Sequence, residues 1–209
     1  MQGMDRFLLN LALHPDFAQA LLHKIAELCK QLMGRFLQEL GADADIIKIG
    51  DDLGTQDRLL ISPRMYRQVL KPIHADYIAF IKERTGAKVF FHTDGDVFDL
   101  LDDFVEIGID ILNPIQTSAG RMANLAELKR RYGRDLVFCG ALDTQHVLPN
   151  GSPDDVRCEV RRVIDLLGTG GGYMLASVHT IMDEVPPENI LAMVDEAAEY
   201  GRDRPNGSR

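Results

Sequence analysis

The sequence lacks several features that are typical of membrane, secreted and nucleic-acid-binding proteins. It has no uninterrupted apolar run of about 18 residues, and acidic and polar side chains interrupt the amino-terminal residues where a signal peptide needs an apolar core. Lys and Arg are scattered along a chain whose net charge is −9, which disfavours binding to a phosphate backbone. These absences predict a cytoplasmic protein with no membrane and no nucleic-acid partner.

Cysteine is also scarce. Cys29, Cys139 and Cys158 are far apart and form no CxxC pair, so neither a disulfide framework nor a zinc knuckle is expected. With 45% hydrophobic residues among 209, the chain can bury a sizeable core. We expect one globular domain over residues 1–201, followed by a disordered tail over residues 202–209 that has Gly and Pro but no apolar period.

What the sequence does contain is a repeated alternation of short β-rich apolar runs with longer segments of helical period. This alternation is the signature of βαβ units and predicts an α/β fold with a parallel sheet. The helix starts are well marked by proline and capping residues, and the first long helix is expected over Pro15–Leu40. The predicted strands are Asp45–Gly50, Lys88–His92, Ile109–Asn113, Leu136–Gly140 and Gly172–Ala176.

Polar side chains follow all five predicted strands at the point where each strand ends. Ligands of parallel α/β folds bind at the carboxyl ends of the strands. Taken singly, an Asp or Asn there is a common turn or cap residue, but caps do not require the His and Gln residues that recur here. The set therefore predicts a site formed by Asp51, Asp52, His92, Asp94, Asn113, Gln116, Asp143, Gln145, His146 and His179.

Within this set, His92, Asp94 and His179 have the character of metal ligands. Two imidazoles and one carboxylate suit a divalent metal such as zinc or iron, and His92 and Asp94 can face one cavity from an extended segment. An alternative stays open. In it, His179 donates a proton or a hydrogen bond to a carboxylate, and Asp94 caps a helix that begins near Val97.

Four longer stretches that contain these residues resemble the uroporphyrinogen decarboxylase superfamily, which also includes methyltransferases that move methyl groups between corrinoid proteins and thiols. The resemblance extends from about Asp5 to Gly201 and identifies the chain with the carboxyl-terminal part of such a protein. The matching stretches are GDDLGTQDRLLISPRMYRQVLKP, FFHTDGDVFDLLDDFVEIGIDILNPIQ, FCGALDTQHVLPNGSPDDV and GGGYMLASVHTIMDEVPPENI.

The resemblance implies a (β/α) TIM-type barrel that is incomplete, because this sequence supplies about five carboxyl-terminal βα units of an eight-unit barrel. Residues 1–201 then form a partial barrel domain. Strand edges left open by the missing units favour association. We therefore expect a homo-oligomer, or a partner chain that supplies the missing barrel strands.

The two activities of the superfamily make different demands on these residues. Its corrinoid methyltransferases hold zinc with a His-x-Cys-Gly element and a later Cys. Here the element reads His92-Thr93-Asp94-Gly95, and His179 occupies the later Cys position. Its decarboxylases are cofactor-free and keep a His at the position of His179, but their substrate-binding Arg pair lies in amino-terminal strands that this sequence does not contain.

The leading hypothesis is therefore metal-dependent methyl transfer of the corrinoid methyltransferase type, with zinc as the first choice of divalent metal. It involves a small-molecule substrate and a corrinoid or methyl-corrinoid partner. The alternatives are cofactor-free decarboxylation of uroporphyrinogen-like tetrapyrroles and a non-catalytic binding subunit. The predicted roles are metal binding for His92, Asp94 and His179, catalysis for His179, Asp52 and Asp143, and substrate binding for Asn113, Gln116, Gln145 and His146.

Overall fold

The computed structural model describes residues 3–40 and 43–202 and divides the chain into two compact units. The first unit holds the described parts of Met1–Ile47 together with Ser62–Val89. The second holds Lys48–Ile61 and the described part of Phe90–Arg209. The predicted tail begins at the last residue of the final helix, Arg202, and otherwise lies outside the described residues.

The first unit is helical. The helix predicted over Pro15–Leu40 has these bounds in the structure, and Ser62 starts a further helical segment by accepting a hydrogen bond from the backbone N–H of Met65 at 3.2 Å. Within this unit, the long helix α2 packs against α1 and α4. The helices are α1 (Met4–Leu13), α2 (Pro15–Leu40), α3 (Pro63–Met65), a π-helical turn (Tyr66–Leu70) and α4 (Lys71–Lys82).

The second unit contains the sheet, whose five strands lie in sequence order. β2 pairs in parallel with β3, β3 with β4, and β4 with β5. From β1 and β2, the residues that belong to this unit are Lys48–Gly50 and Phe90–His92. The strands are β1 (Ile46–Gly50), β2 (Lys88–His92), β3 (Ile111–Ile115), β4 (Val137–Leu142) and β5 (Tyr173–Ser177).

Helices follow the strands of the second unit, and the longer ones bury apolar residues in its core. Ser152 and Asp155 form a capping box that starts α8, as the Ser-Pro-Asp-Asp sequence predicts. Within this unit α8 packs against β4, α6 and α9. The helices are α5 (Leu101–Glu106), α6 (Leu125–Tyr132), α7 (Val147–Asn150), α8 (Pro153–Leu167) and α9 (Pro187–Arg202), with 3₁₀ turns at Phe98–Leu100 and Gly120–Ala123.

The alternation of parallel strands with helices confirms the predicted α/β fold, a partial (β/α) barrel. Each observed strand lies within two residues of its predicted bounds, and β2 matches them. The largest difference is in β3, which extends past Asn113 to Ile115 with a shift of register between Leu112 and Ile115. Across residues 3–40 and 43–202, none of the helices is both long and apolar enough to cross a membrane.

Candidate active site at the carboxyl ends of the strands

The structure places the three predicted metal ligands around Asp94, with the ring centroids of His92 and His179 6.5 Å apart. His92 is the last residue of β2, Asp94 follows two residues later, and His179 lies just beyond β5. The Oδ2 atom of Asp94 is 3.6 Å from Nε2 of His92 and 3.9 Å from Nε2 of His179. One carboxylate oxygen therefore lies near a ring nitrogen of each histidine.

A neighbouring amide fixes the orientation of His92. The Nδ2 group of Asn113 donates to the carbonyl oxygen of Cys139 at 3.4 Å, and its Oδ1 lies 2.7 Å from Nδ1 of His92. Because that oxygen can only accept, Nδ1 of His92 must carry the proton. The lone pair of the neutral ring is then on Nε2, the nitrogen that faces Asp94, which is the arrangement that a hydrogen-bond acceptor at the other ring nitrogen imposes on metal-binding histidines.

Asp52 extends this group of ligands. Its Oδ1 accepts a hydrogen bond from the backbone N–H of Asp94 at 3.2 Å. Asp52, His92 and Asp94 each offer a ligand atom, and these atoms lie within 4.8 Å of one another. Asp52 is thus placed to hold the loop that carries Asp94 and to serve as a further oxygen ligand, a role that we did not assign to it from the sequence.

Beside these residues is a cleft of about 300 Å³ that Asp94, His179 and three glutamines help to line. Oε1 of Gln116 accepts from the backbone N–H of Gly95 at 2.8 Å, and its Nε2 donates to Gln56 at 2.8 Å. Gln56 in turn donates to Oε1 of Gln145 at 2.9 Å. A chain of three side-chain amides therefore runs along the cleft, two of them predicted from the sequence.

Of these three hydrogen-bonded amides, Gln56 is the one that we did not predict from the sequence. It lies several residues beyond the end of β1, in a loop that returns to make an isolated bridge between Gly54 and Leu59. Its backbone neighbour Thr55 accepts a hydrogen bond at its carbonyl from the N–H of Asp96 at 2.8 Å. Only its position within the stretch GDDLGTQDR, which resembles the superfamily, could have indicated a role.

Asp143 and His146 lie in the loop after β4, where Asp143 bonds to the backbone of its own loop and His146 is at the surface. Oδ1 of Asp143, which is buried, accepts from the backbone N–H groups of Gln145 at 2.6 Å and His146 at 2.9 Å. This carboxylate orders the loop after β4 and so positions Gln145. His146 precedes α7 and is exposed. The catalytic role of Asp143 and the substrate-binding role of His146 stay predictions.

The alternative role for Asp94 as a helix cap belongs to a different aspartate. Oδ1 of Asp96 accepts from the backbone N–H of Phe98, the first residue of the 3₁₀ turn, at 3.2 Å. Its Oδ2 accepts from the backbone N–H of Arg121 at 3.0 Å. Asp94 is therefore available to the site, whereas Asp96 holds the loops behind it.

The sequence matches the family model described as uroporphyrinogen decarboxylase over residues 1–200. The uroporphyrinogen decarboxylase of Neisseria meningitidis serogroup C (strain 053442) is 28% identical over 187 residues, which cover 87% of this chain and 49% of that protein. The uroporphyrinogen decarboxylase of Pseudoalteromonas translucida is 25% identical over 190 residues, covering 89% of this chain and 49% of that protein. The chain thus spans about half the length of these curated relatives.

Among solved structures, a methyltransferase from Methanosarcina mazei matches with a TM-score of 0.74 and 22% sequence identity. The match covers 93% of this chain and 53% of that chain, and it shows that the two share a fold. The predicted relationship is confirmed by the family match, which extends over nearly the whole sequence. The chain belongs to the uroporphyrinogen decarboxylase family.

Proposed function

We propose that His92, Asp94 and His179 bind one divalent metal ion and that the site catalyses methyl transfer to a small nucleophile. The observation that supports this most strongly is the Asn113 amide, which holds His92 with its Nε2 lone pair toward Asp94. Two imidazole nitrogens and a carboxylate oxygen suit zinc or iron. When bound, such an ion acts as a Lewis acid that lowers the pKa of a coordinated nucleophile.

The surrounding side chains are suited to positioning a small substrate. Gln116, Gln56 and Gln145 present amide groups along a cleft of about 300 Å³, a volume at the lower end of ordinary ligand sites. Asp52 steadies the loop of Asp94 through its backbone N–H. In this proposal, the amides orient the substrate, and Asn113 and Asp52 keep the ligands in place. The methyl donor is a corrinoid, free or carried by a partner protein.

Methyl transfer can be tested with methylcobalamin as donor and a small thiol as acceptor, using protein loaded with zinc. We expect demethylation of the corrinoid by the unmodified chain and a loss of rate of about 100-fold or more in His92→Ala and His179→Ala. His23→Ala, at an exposed position of α2, is the matched control and should keep the full rate. Equal rates in all four proteins would contradict the proposal.

A second function is favoured by the curated relatives, which are named uroporphyrinogen decarboxylase. In this alternative, His179, whose side chain is 56% exposed at the cleft, donates a proton to a porphyrinogen-like polycarboxylate without metal. Release of CO₂ from uroporphyrinogen by metal-free protein, abolished in His179→Gln and retained in His92→Ala, would support decarboxylation over methyl transfer.

We also infer that the site works beside further strands, from a second copy or from a partner chain. β5 is at the end of the strand order, and Met174 within it is 40% exposed. On α9, Leu191 and Val194 are 62% and 54% exposed. An edge strand with exposed apolar neighbours is a site of association. Light scattering of the purified chain at increasing concentration tests this, and a monomer throughout would contradict self-association.

A further inference from the structure

The helical first unit contains a groove between α2 and α4. Lys30 of α2 pairs with Asp76 of α4, and one helical turn further along both helices Gly34 lies against Phe80. A β-carbon added at Gly34 would be 3.3 Å from Cζ of Phe80, so glycine lets the two helices approach closely here. The groove at this contact has a volume of about 730 Å³, which is the size of an ordinary small-molecule site.

The charge of this groove is opposite in sign to that of the whole chain. Of the described residues that line it, Lys30, Arg35 and Arg84 are basic and Glu27 alone is acidic, in a chain whose net charge is −9. The ion pair with Asp76 neutralises Lys30. The excess of positive charge therefore comes from the two arginines, and it favours an anionic ligand.

Arg84 is held in place with part of its guanidinium group unused. Its Cζ lies 3.7 Å from the centroid of the Phe80 ring, and its Nη1 donates to the carbonyl oxygen of Phe80 at 2.9 Å. Nη1 also lies 3.3 Å from Glu83, in an exposed ion pair that contributes little. Among the described residues, Nε and Nη2 have no acceptor. A guanidinium group packed on an aromatic ring keeps these donors available for an oxyanion.

Arg35 has neither an acidic partner nor a hydrogen-bond acceptor in the part of the chain that the structure describes, and it is exposed. Arginines of the second unit differ in this respect: Arg161 pairs with Glu196, and Arg162 pairs with Glu159. Arg35 also lies before the last turn of α2, where a basic residue would stabilise the helix dipole. Its charge is therefore available to a ligand in the groove.

The groove has an apolar wall as well. Leu37 is buried and Phe80 is half-buried, and both line it. A single inorganic anion would fill only a small part of about 730 Å³ and would leave this wall uncovered. The combination of two arginines with an apolar wall is suited to a molecule that has an anionic group and an organic part.

We propose that this groove is a second ligand site, which binds the phosphate group of a small organic phosphate through Arg35 and Arg84. The organic part of the ligand packs on Phe80 and Leu37. Phosphate accepts two parallel hydrogen bonds from one guanidinium group, which a single carboxylate-free arginine provides without displacing a partner. The site shares no residue with the candidate active site and does not depend on a bound metal or on the proposed function.

The test is calorimetric titration of metal-free protein with phenyl phosphate at fixed ionic strength. We expect Arg35→Gln and Arg84→Gln each to weaken binding about tenfold, since each removes charge-assisted hydrogen bonds. Arg64→Gln, which changes an exposed arginine of α3 in the same unit, and His92→Ala in the candidate active site should bind as tightly as the unmodified chain. Inorganic phosphate should bind about tenfold more weakly than phenyl phosphate, because it lacks the apolar ring.

No binding of phenyl phosphate, or equal binding by the unmodified chain, Arg35→Gln and Arg84→Gln, would overturn the proposal. Weakening in His92→Ala but not in the groove variants would also overturn it, since the ligand would then lie at the candidate active site. Equal affinity for phenyl phosphate and inorganic phosphate would contradict the assignment of an organic ligand. Circular dichroism verifies that each variant is folded, and Arg35→Gln, at an exposed position without a protein partner among the described residues, keeps the test decisive if Arg84→Gln unfolds.

Discussion

The helices α2 and α8 have similar sequence patterns but very different surroundings. Both show apolar residues at spacings of three and four, and both begin at a proline that marks a helix start in the sequence. In α8 the apolar residues Val156, Val160 and Leu167 are fully buried. In α2, Leu32 is 68% exposed and Phe36 is 52% exposed, and its buried residues in the described structure are Ala18 and Leu37.

The difference shows that periodicity specifies a helix and an apolar face, but not what covers that face. α8 is covered within its own unit by β4, α6 and α9. Along α2, Phe17, Ile25 and Leu28 are exposed as well. An apolar stripe of this length on a monomer is a marker of an interaction surface. Truncating an apolar residue should therefore destabilise the protein strongly in α8 and little in α2.

The largest expected effect comes from truncating the buried face of α8. Leu167→Ala should lower the free energy of unfolding by about 2–5 kcal/mol, because it leaves a cavity at a fully buried position. Leu32→Ala on α2 is the matched control and should change stability by less than about 0.5 kcal/mol. Urea denaturation of both variants measures the difference. A similar loss for Leu32→Ala would mean that α2 is covered in solution.

The next effect concerns two glycines with different surroundings. Gly50→Ala places a methyl group against the backbone of His92 and should cost about 1–3 kcal/mol through displacement of the strand. Gly86→Ala, in the first unit, meets no atom within 4 Å and serves as the control. Thermal denaturation of the two variants provides the comparison. If Gly50→Ala proved as stable as Gly86→Ala, the close approach of β1 to His92 would be incorrect.

Helix capping gives a smaller effect. Ser152→Ala removes one half of the capping box of α8 and should cost about 1 kcal/mol. Changing Ser62 to Ala should cost less, because Ser62 accepts one hydrogen bond from the backbone of Met65, whose apolar side chain cannot return one. Urea midpoints of the two variants rank the caps. A larger loss at Ser62 would show that the hydrogen bond which the Ser152 hydroxyl donates to Asp155 adds nothing to the cap.

The smallest predicted effect is a dependence of this cap on pH. Hydrogen bonds from the Ser152 hydroxyl and backbone lower the pKa of Asp155 below its usual 3.8. Because the pKa of Asp155 is lower in the folded state, its carboxylate stabilises the fold at pH values above the pKa of the unfolded state. This contribution is complete above about pH 4 and is lost as the pH falls through the pKa of the folded state. The difference in stability between the unmodified chain and Ser152→Ala should therefore shrink on acidification, as measured by urea unfolding.

Asp154, which is next to this cap and pairs with Arg157 at 2.8 Å, provides the control for that experiment. Asp154→Asn leaves the capping box intact and should keep the same dependence on pH as the unmodified chain. A difference between the unmodified chain and Ser152→Ala that stayed constant from pH 6 to pH 3 would contradict the role of Asp155.

The fold was largely predictable because its signals are local. Proline at a helix start and short apolar runs give the bounds of α2 and β2, and these need no knowledge of the rest of the chain. The end of β3 was not predictable, since Asn113 and Pro114 look like a strand end. The strand continues to Ile115 through an irregularity in its pairing with β4.

The site was predictable only where topology determines it. The convergence of His92, Asp94 and His179 follows from the rule that parallel strands end at one edge. The bonds that Asp143 makes to the backbone of its own loop depend on the path of that loop, which has no sequence period. The position of Gln56 likewise depends on how its loop returns to the sheet.

The most direct test of the central claim is a titration of metal-free protein with zinc, followed by elemental analysis after dialysis. The unmodified chain should retain about one equivalent of zinc, and His92→Ala and His179→Ala should bind zinc at least about 100-fold more weakly. Asn113→Ala should lower the zinc affinity by an intermediate factor, about 10-fold to 100-fold relative to the unmodified chain. His23→Ala should match the unmodified chain. Retention of zinc by both His92→Ala and His179→Ala, or none in the folded unmodified chain, would contradict a metal site at these residues.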